Sequence, residues 1–151
     1  MTNFIGDYTG KVDSKGRIYF PVPFQKQMDG KAIGRFIVKK DIFEKCLVVF
    51  PYDEWEKQVE IIRNRINPYN RMHNLFLRKF YKDTIEVSLD SANRILIPKK
   101  LLESANITTE VVLVGQDNKI EVWNADEFDK KDISQDEFAE LAEDIFKNET
   151  K

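Results

Sequence analysis

The 151-residue chain has one cysteine and one histidine. A single cysteine closes no internal disulfide and makes no Cys-rich zinc site, and with one cysteine and one histidine a transition-metal site would need unusual carboxylate clustering. Cys46 stands in the apolar run EKCLVVF, which predicts a buried structural thiol and fits a reducing compartment. His73, in YNRMHNLF on a basic helix, is a lone histidine and reads as a surface or core side chain rather than a ligand or catalyst. No apolar run approaches the roughly 20 residues needed to span a bilayer. The opening MTNFIGDYTG has neither the basic n-region nor the apolar h-region of a secretory leader. No G-x-x-x-x-G-K-[ST] phosphate loop occurs. Ser14 and Ser91 occupy equivalent positions but have no histidine base, so a serine nucleophile is not expected. These absences predict a soluble, intracellular protein of cytoplasmic location. They also predict no cofactor, no metal, no membrane partner and no small-molecule ligand, and a protein that is not an enzyme. A carboxylate hydrolase is the one catalytic class left open, because sequence alone cannot pair the abundant acids.

What is present is a core, a charge asymmetry and a duplication. The 42% apolar content, with eleven Phe, suffices for one compact domain or two very small ones. The net charge of −2 conceals a basic body and an acidic tail. Residues 1–102 carry 19 Lys and Arg against 12 Asp and Glu, whereas residues 103–151 carry 5 against 14. Such a body permits a nucleic-acid surface, while the acidic whole argues against indiscriminate DNA coating. An ordinary solvated surface beside an acidic helix accounts for the charges equally well.

The duplication is explicit. VDSKGRIYFP, Val12 to Pro21, returns as LDSANRILIP, Leu89 to Pro98, at a spacing of 77. LVVFPYDEW, Leu47 to Trp55, returns as IEVWNADEF, Ile120 to Phe128, at a spacing of 73. Two matched segments in the same order indicate a tandem repeat of about 45 residues. Each copy predicts a strand (GKV, IEVSL), a tight turn (Asp13–Gly16, Asp90–Asn93) and a short strand (RIYF, RILI). Pro21 and Pro98 then open short helices, closed by Gly30 and Asn106. Two more strands follow in each copy: RFIVKK with CLVVF, and EVVLVG with KIEVW, the last pair joined by the turn QDNK. Between the copies, Trp55, Val59, Ile62 and Ile66 mark one amphipathic helix, broken at Asn67-Pro68. Met72, Leu75, Phe76 and Phe80 mark a second. Such stripes, here and in the tail, serve either the core or a subunit interface, core packing being the commoner fate. The tail opens on a capping box, Ser134 to Glu137, and lines up Phe138, Leu141 and Ile145. DKKDI reads as a flexible joint before it, and the last five residues as frayed.

The repeated turn carries the chemistry. An Asp side chain accepts hydrogen bonds from amides a few residues on, and Asp13 and Asp90 are placed to do so. Gly16 and Asn93 are equivalent, and both residue types take positive φ readily, so the two turns should share one backbone shape. Arg17 and Arg94 follow directly. Each either pins its hairpin to the Asp or offers a five-donor fork to phosphate or a guanine edge. Lys15 adds a cation at the first tip, flanked by Lys11. Ala92 stands at the matching place in the second copy, where Lys99 and Lys100 lie nearby.

The doubled Asp-x-x-x-Arg motif resembles that of the MraZ family. FIGDYTGKVDSKGRI, the two aromatic–x–x–Asp–Glu–aromatic ends, VVLVG…KIEVW and the helical spacer match as well, so the resemblance covers about residues 4–130. It is related to the single-copy AbrB-type regulators, which build swapped-hairpin barrels when two copies meet. The resemblance implies an α+β fold of two tandem AbrB-like repeats forming a pseudo-symmetric swapped-hairpin β-barrel, with a helical spacer and a C-terminal helix. The units would be a first repeat at 4–55, a spacer at 56–82, a second repeat at 83–128 and an acidic tail at 129–151. It implies a sequence-specific, DNA-binding transcriptional regulator, expected to repress the division and cell-wall gene cluster. The partners would be promoter direct repeats in double-stranded DNA and further copies of itself in a ring, at the nucleoid. The implied DNA-binding residues are Lys15, Arg17 and Arg94, with Lys11 and Lys99 added by proximity; Asp13, Gly16, Asp90 and Asn93 shape the loops. Asn93 and Ala92 depart from the Gly and the Lys or Gln usual in the family, which weakens the case for the second loop. The rival expectation is an oligomeric protein-binding scaffold whose Asp–Arg pairs are structural.

Overall fold

In the computed structural model of the chain, residues 2–28 and 34–147 are described. The helix closure expected at Gly30 and most of the expected frayed end lie outside them. Among the described residues are eight strands and six helices. The first half comprises β1 (Asp7–Lys11), β2 (Arg17–Tyr19), α1 (Val22–Lys26), β3 (Arg35–Lys40) and β4 (Leu47–Pro51). The helices α2 (Tyr52–Arg65) and α3 (Arg71–Tyr81) follow. The second half comprises β5 (Ile85–Ser88), β6 (Arg94–Leu96), α4 (Lys99–Ser104), β7 (Glu110–Gln116), β8 (Lys119–Asn124) and α5 (Ala125–Lys130). The tail is α6 (Gln135–Lys147).

Local sequence accounts for most boundaries. Pro21 and Pro98 stand just before α1 and α4 with φ −55° and −59°, a value the pyrrolidine ring imposes and a helix start accepts. Helix α4 stops at Asn106, whose φ is 58°. There the Ile107 amide donates to Leu102 O at 2.9 Å and the Asn106 amide to Glu103 O at 3.0 Å, which ties off carbonyls the helix leaves open. In the QDNK turn, Gln116 faces Lys119 and Asp117 takes a φ of 65°. The tail's capping box is formed: the Glu137 amide donates to Ser134 Oγ at 3.1 Å, and the Ser134 amide to Glu137 Oε1 at 3.3 Å.

The main sheet is antiparallel and six-stranded, in the order β1-β7-β8-β4-β3-β5. If β1 is exchanged with β5, β3 with β7 and β4 with β8, this order reads backwards unchanged. The first strand of each half therefore pairs with the other half. A separate ribbon, β2-β6, crosses between the halves in the same way. Its central pair is Ile18 opposite Ile95, the same position in both repeats, so the pseudo-twofold axis passes there. The expected barrel is not closed: β1 and β5 are the sheet's two edges, and the ribbon is a second sheet. At three residues each, β2 and β6 spend their ladder bonds on one another.

Phe4, Phe20, Phe24 and Phe36 fill the space between the sheet and the ribbon with its short helices, with Phe20 and Phe36 centred 4.7 Å apart. Each fully buried side chain of this size contributes about 2 kcal/mol. On the opposite face, Ile37, Val48 and Phe50 pack under Trp55 of α2 and Phe80 of α3, whose rings stack at 5.6 Å. Cys46 is buried, and burial pushes its thiol pKa well above the ordinary value, as suits an inert core thiol.

Three expectations are corrected. The α3 stripe is only partly core: Phe80 is buried, but Met72, Leu75 and Phe76 are exposed, because α3 reaches past the sheet it covers. The α6 stripe is exposed, and among the described residues the helix buries none. The expected joint DKKDI is partly helical. Asn124 accepts from the amides of Asp126 and Glu127 and starts α5, which carries Asp129 and Lys130. No helix among the described residues is long and apolar enough to cross a membrane.

Candidate functional site

Alternation along the ribbon sorts its side chains. Ile18 and Ile95 are buried against the core. The residues on either side of each, Arg17 and Tyr19 on β2 and Arg94 and Leu96 on β6, therefore share the outer face. Tyr19 is 65% exposed and Leu96 53%. Arg17 sits opposite Leu96, and Tyr19 opposite Arg94. The two guanidinium groups thus lie diagonally across a three-pair ribbon, interleaved with one aromatic and one aliphatic side chain.

Each arginine is held from behind by its own turn. Asp13 Oδ1 accepts from the Lys15 and Arg17 amides, both at 2.9 Å, and Oδ2 accepts from Arg17 Nε at 2.6 Å. In the second turn, Asp90 Oδ1 accepts from the Ala92 amide at 2.8 Å and the Arg94 amide at 2.9 Å; Oδ2 accepts from Arg94 Nε at 2.9 Å. The Arg17 amide, followed by the Arg17 side chain and the Lys15 amide, holds the Asp13 carboxyl down at about 2. The Arg94 amide does the same for Asp90, with the Ala92 amide and the Arg94 side chain. Both carboxylates are accordingly charged at neutral pH. Arg94 Nη1 also comes within 3.9 Å of Asp13 Oδ2, so the two turns touch.

Neither guanidinium is swallowed by these bonds. Their side chains remain 30% and 25% exposed. Only the Nε of each is hydrogen-bonded among the described residues, which leaves the terminal nitrogens as oriented donors. A planar fork fixed this way matches a carboxylate, a phosphate or a guanine edge.

The two turns interlock through backbone. The Ile97 amide donates to Gly16 O, and the Phe20 amide to Asn93 O, both at 2.9 Å. Gly16 has φ 90° and is buried, and a Cβ there would meet Ile97 O at 2.6 Å. Asn93 fills the equivalent place at φ 60° with its side chain exposed.

The other named cations are spread differently. Lys15 is exposed at the first tip and makes no ion pair among the described residues; Lys15 and Lys99 line one open cleft together with Leu96. Lys99 also lies 3.8 Å from Glu103, and Lys100 bonds Asp83 at 2.9 Å. Lys11 is on β1 opposite Glu110, in the strand leading to the first turn rather than on the ribbon's outer face. Tyr19 and Leu96 were not among the residues named from sequence. The alternation around Ile18 and Ile95 would have found them. His73 acts locally, where its Nδ1 accepts from the Asn67 amide at 2.9 Å and closes the α2–α3 junction. No cluster of three His, Cys, Asp or Glu suited to a metal occurs among the described residues.

The chain matches the sequence model of the family described as "MraZ protein, putative antitoxin-like" twice, over residues 4–78 and 80–149. It is 36% identical over 151 residues to a protein of Bacteroides thetaiotaomicron named "Transcriptional regulator MraZ", covering all of this chain and 97% of that one. A protein of the same name from Flavobacterium psychrophilum is 36% identical over 149 residues, covering 98% and 94% of the two chains. Another, from Phocaeicola vulgatus, is 34% identical over 142 residues, covering 94% and 92%.

Proposed function

This chain belongs to the MraZ family, and from that premise we propose that it is a non-enzymatic transcriptional regulator that reads DNA with the outer face of its β2–β6 ribbon. The observation that carries the reading is the pair of outward forks, Arg17 and Arg94, each aimed by a charged Asp and set diagonally about a pseudo-twofold axis. A two-stranded ribbon is one of the elements the major groove of B-DNA admits, and arginine is its commonest reader of guanine. Tyr19 and Leu96 supply apolar contact between the forks. Lys15, Lys99 and Lys11 engage phosphate around them, and the acidic α6 stays off the DNA face. The exchange of first strands between halves is what a swapped-hairpin pair folded within one chain would give.

One subunit offers few phosphate contacts and binds weakly. A ring of copies on promoter direct repeats raises the effective concentration of the second and later contacts. The uncovered faces support such an assembly: Met72 and Leu75 on α3, and Phe138, Leu141, Ile145 and Phe146 on α6. Helix α3 is basic outside the cleft it shares with β3 through Arg71 and Arg78, and α6 is acidic, so the two are complementary between copies. In this reading the protein dampens its own operon, the division and cell-wall cluster, and resides at the nucleoid.

The test is retardation of the DNA upstream of the protein's own gene, with light scattering for assembly size. Arg17→Ala with Arg94→Ala should keep fold and assembly size and lose retardation. Normal retardation by the folded double variant would remove the ribbon as reader. If that variant unfolds, the scaffold reading with structural Asp–Arg pairs gains, and Arg17→Lys with Arg94→Lys decides: charge is kept, the fork is lost, and retardation should still fall.

A further inference from the structure

Pairing between β3 and β5 ends at Val38 opposite Ile85, so Lys39 and Lys40 run on with a strand neighbour only on the β4 side. A cleft of about 240 Å³ opens there, between the end of β3, the C-terminal half of α3 and α4. Four lysines line it: Lys39, Lys40, Lys79 and Lys82. Lys39 is only 5% exposed, on the sheet face opposite the ribbon. Its Nζ lies 4.4 Å from the centre of the Phe80 ring and donates to Lys40 O at 3.1 Å. Among the described residues none of the four lysines has a carboxylate within ion-pair distance. The two acids at the cleft are held elsewhere, Asp83 by Lys100 at 2.9 Å and Asp41 by the Phe43 and Glu44 amides, and act on the lysines only through space. Burial accordingly pushes the Lys39 ammonium below its ordinary pKa.

Lys39 is held by the Lys40 carbonyl and the Phe80 ring, and four lysines against two aspartates leave the cleft with an excess of positive charge that an anion seated in it would balance. The apolar part of the lining sets the shape of that anion. Phe76 and Phe80 stack at 5.7 Å with 19° between their planes, and Ile42 and Leu101 complete the walls. A cavity of about 150 Å³ admits a benzene ring, so this one holds a ring with room for an anionic group. Several ammonium point charges suit a phosphate dianion better than a single carboxylate. We propose that this cleft binds a small phosphorylated aromatic molecule, its ring against Phe76 and Phe80 and its phosphate among Lys39, Lys79 and Lys82. No such ligand was expected from the sequence, because the lysines come from segments about 40 residues apart in the chain.

The experiment is calorimetric titration of the full chain with phenyl phosphate, inorganic phosphate and benzyl alcohol. Phenyl phosphate should saturate at one per chain, and each of the other two should bind at least about tenfold more weakly. Lys39→Met should weaken phenyl phosphate about tenfold, as should Lys79→Ala with Lys82→Ala. Absence of saturation, or unchanged affinity in the variants, overturns the proposal. If Lys39→Met does not fold, the exposed pair Lys79 and Lys82 decides alone. Two competitors separate other sources of the anion. Displacement of phenyl phosphate by a random DNA duplex would make the cleft a nucleic-acid surface. Displacement by a peptide of residues 135–147 would make it the seat of a second copy's acidic helix. Either displacement overturns the assignment to a small ligand.

Discussion

The two turns, Asp13–Arg17 and Asp90–Arg94, differ in their three central letters except the serine, yet make the same bonds. Each carboxylate takes two amides and one Nε, at distances that agree within a few tenths of an ångström. The difference lies in what each turn presents and tolerates. The first closes its turn on a buried Gly16 and shows a lysine at its tip. The second closes on an exposed Asn93 and shows Ala92. The backbone shape is therefore imposed by the Asp and by the interlock with the other half. The letters between Asp and Arg are left to set surface charge and local crowding.

Gly16→Ala should break this equivalence most strongly. It places a Cβ at φ 90° against Ile97 O, and should cost on the order of 2 kcal/mol. Asn93→Gly relieves a positive φ and should stay within about 1 kcal/mol of the parent. Urea midpoints of the two variants measure the gap; equal shifts would show that the two turns are interchangeable.

On DNA, Arg17→Ala should cost more than Arg94→Ala, about tenfold in affinity or greater, because Lys15 stands beside Arg17 and Ala92 beside Arg94. Retardation titrations at fixed salt give the ratio, and a ratio of one would place the two forks on an equal footing.

Acid should affect the turns unequally. The folded pKa of Asp13, about 2, lies below the ordinary 3.8, so the unfolded chain binds this proton more readily. Its stabilisation is present above pH 3.8 and is lost as pH falls toward 2. Asp13→Asn should therefore flatten stability over that window. Asp90→Asn should do so less, since of the two carboxylates it is Asp13 that approaches both arginines. Denaturation midpoints from about pH 5 down to about pH 2 compare them.

The smallest expected effect is on salt dependence. Lys15→Ala should lower the slope of log affinity against log salt by about one, and Ala92→Lys should raise it by about one. Unchanged slopes would remove the tips from the phosphate contacts.

The turns were legible in the sequence because each is a local device. An Asp four residues before an Arg, with Gly or Asn between, needs only its own backbone to fold. The proline helix starts, the Asn106 stop and the Ser134–Glu137 box were legible for the same reason. The fates of the α3 and α6 stripes were not: periodicity gives a helix an apolar face but says nothing of what covers it. Helix α5 was not legible because its cap, Asn124, directly follows the strand run KIEVW and is shared between the end of β8 and the helix start.

Sequence by itself settled that this protein is a doubled unit with two equivalent Asp–Arg turns, because repetition and short-range hydrogen bonding are written in neighbouring letters. Only the tertiary structure decided that Ile18 meets Ile95, that both forks share one outer face with Tyr19 and Leu96, and that four lysines surround one cleft. The first two depend on strands pairing across 77 residues, and the cleft on α3 and α4 packing beside the end of β3. Burial of the two halves against each other fixes that register, and no short stretch of either half contains it.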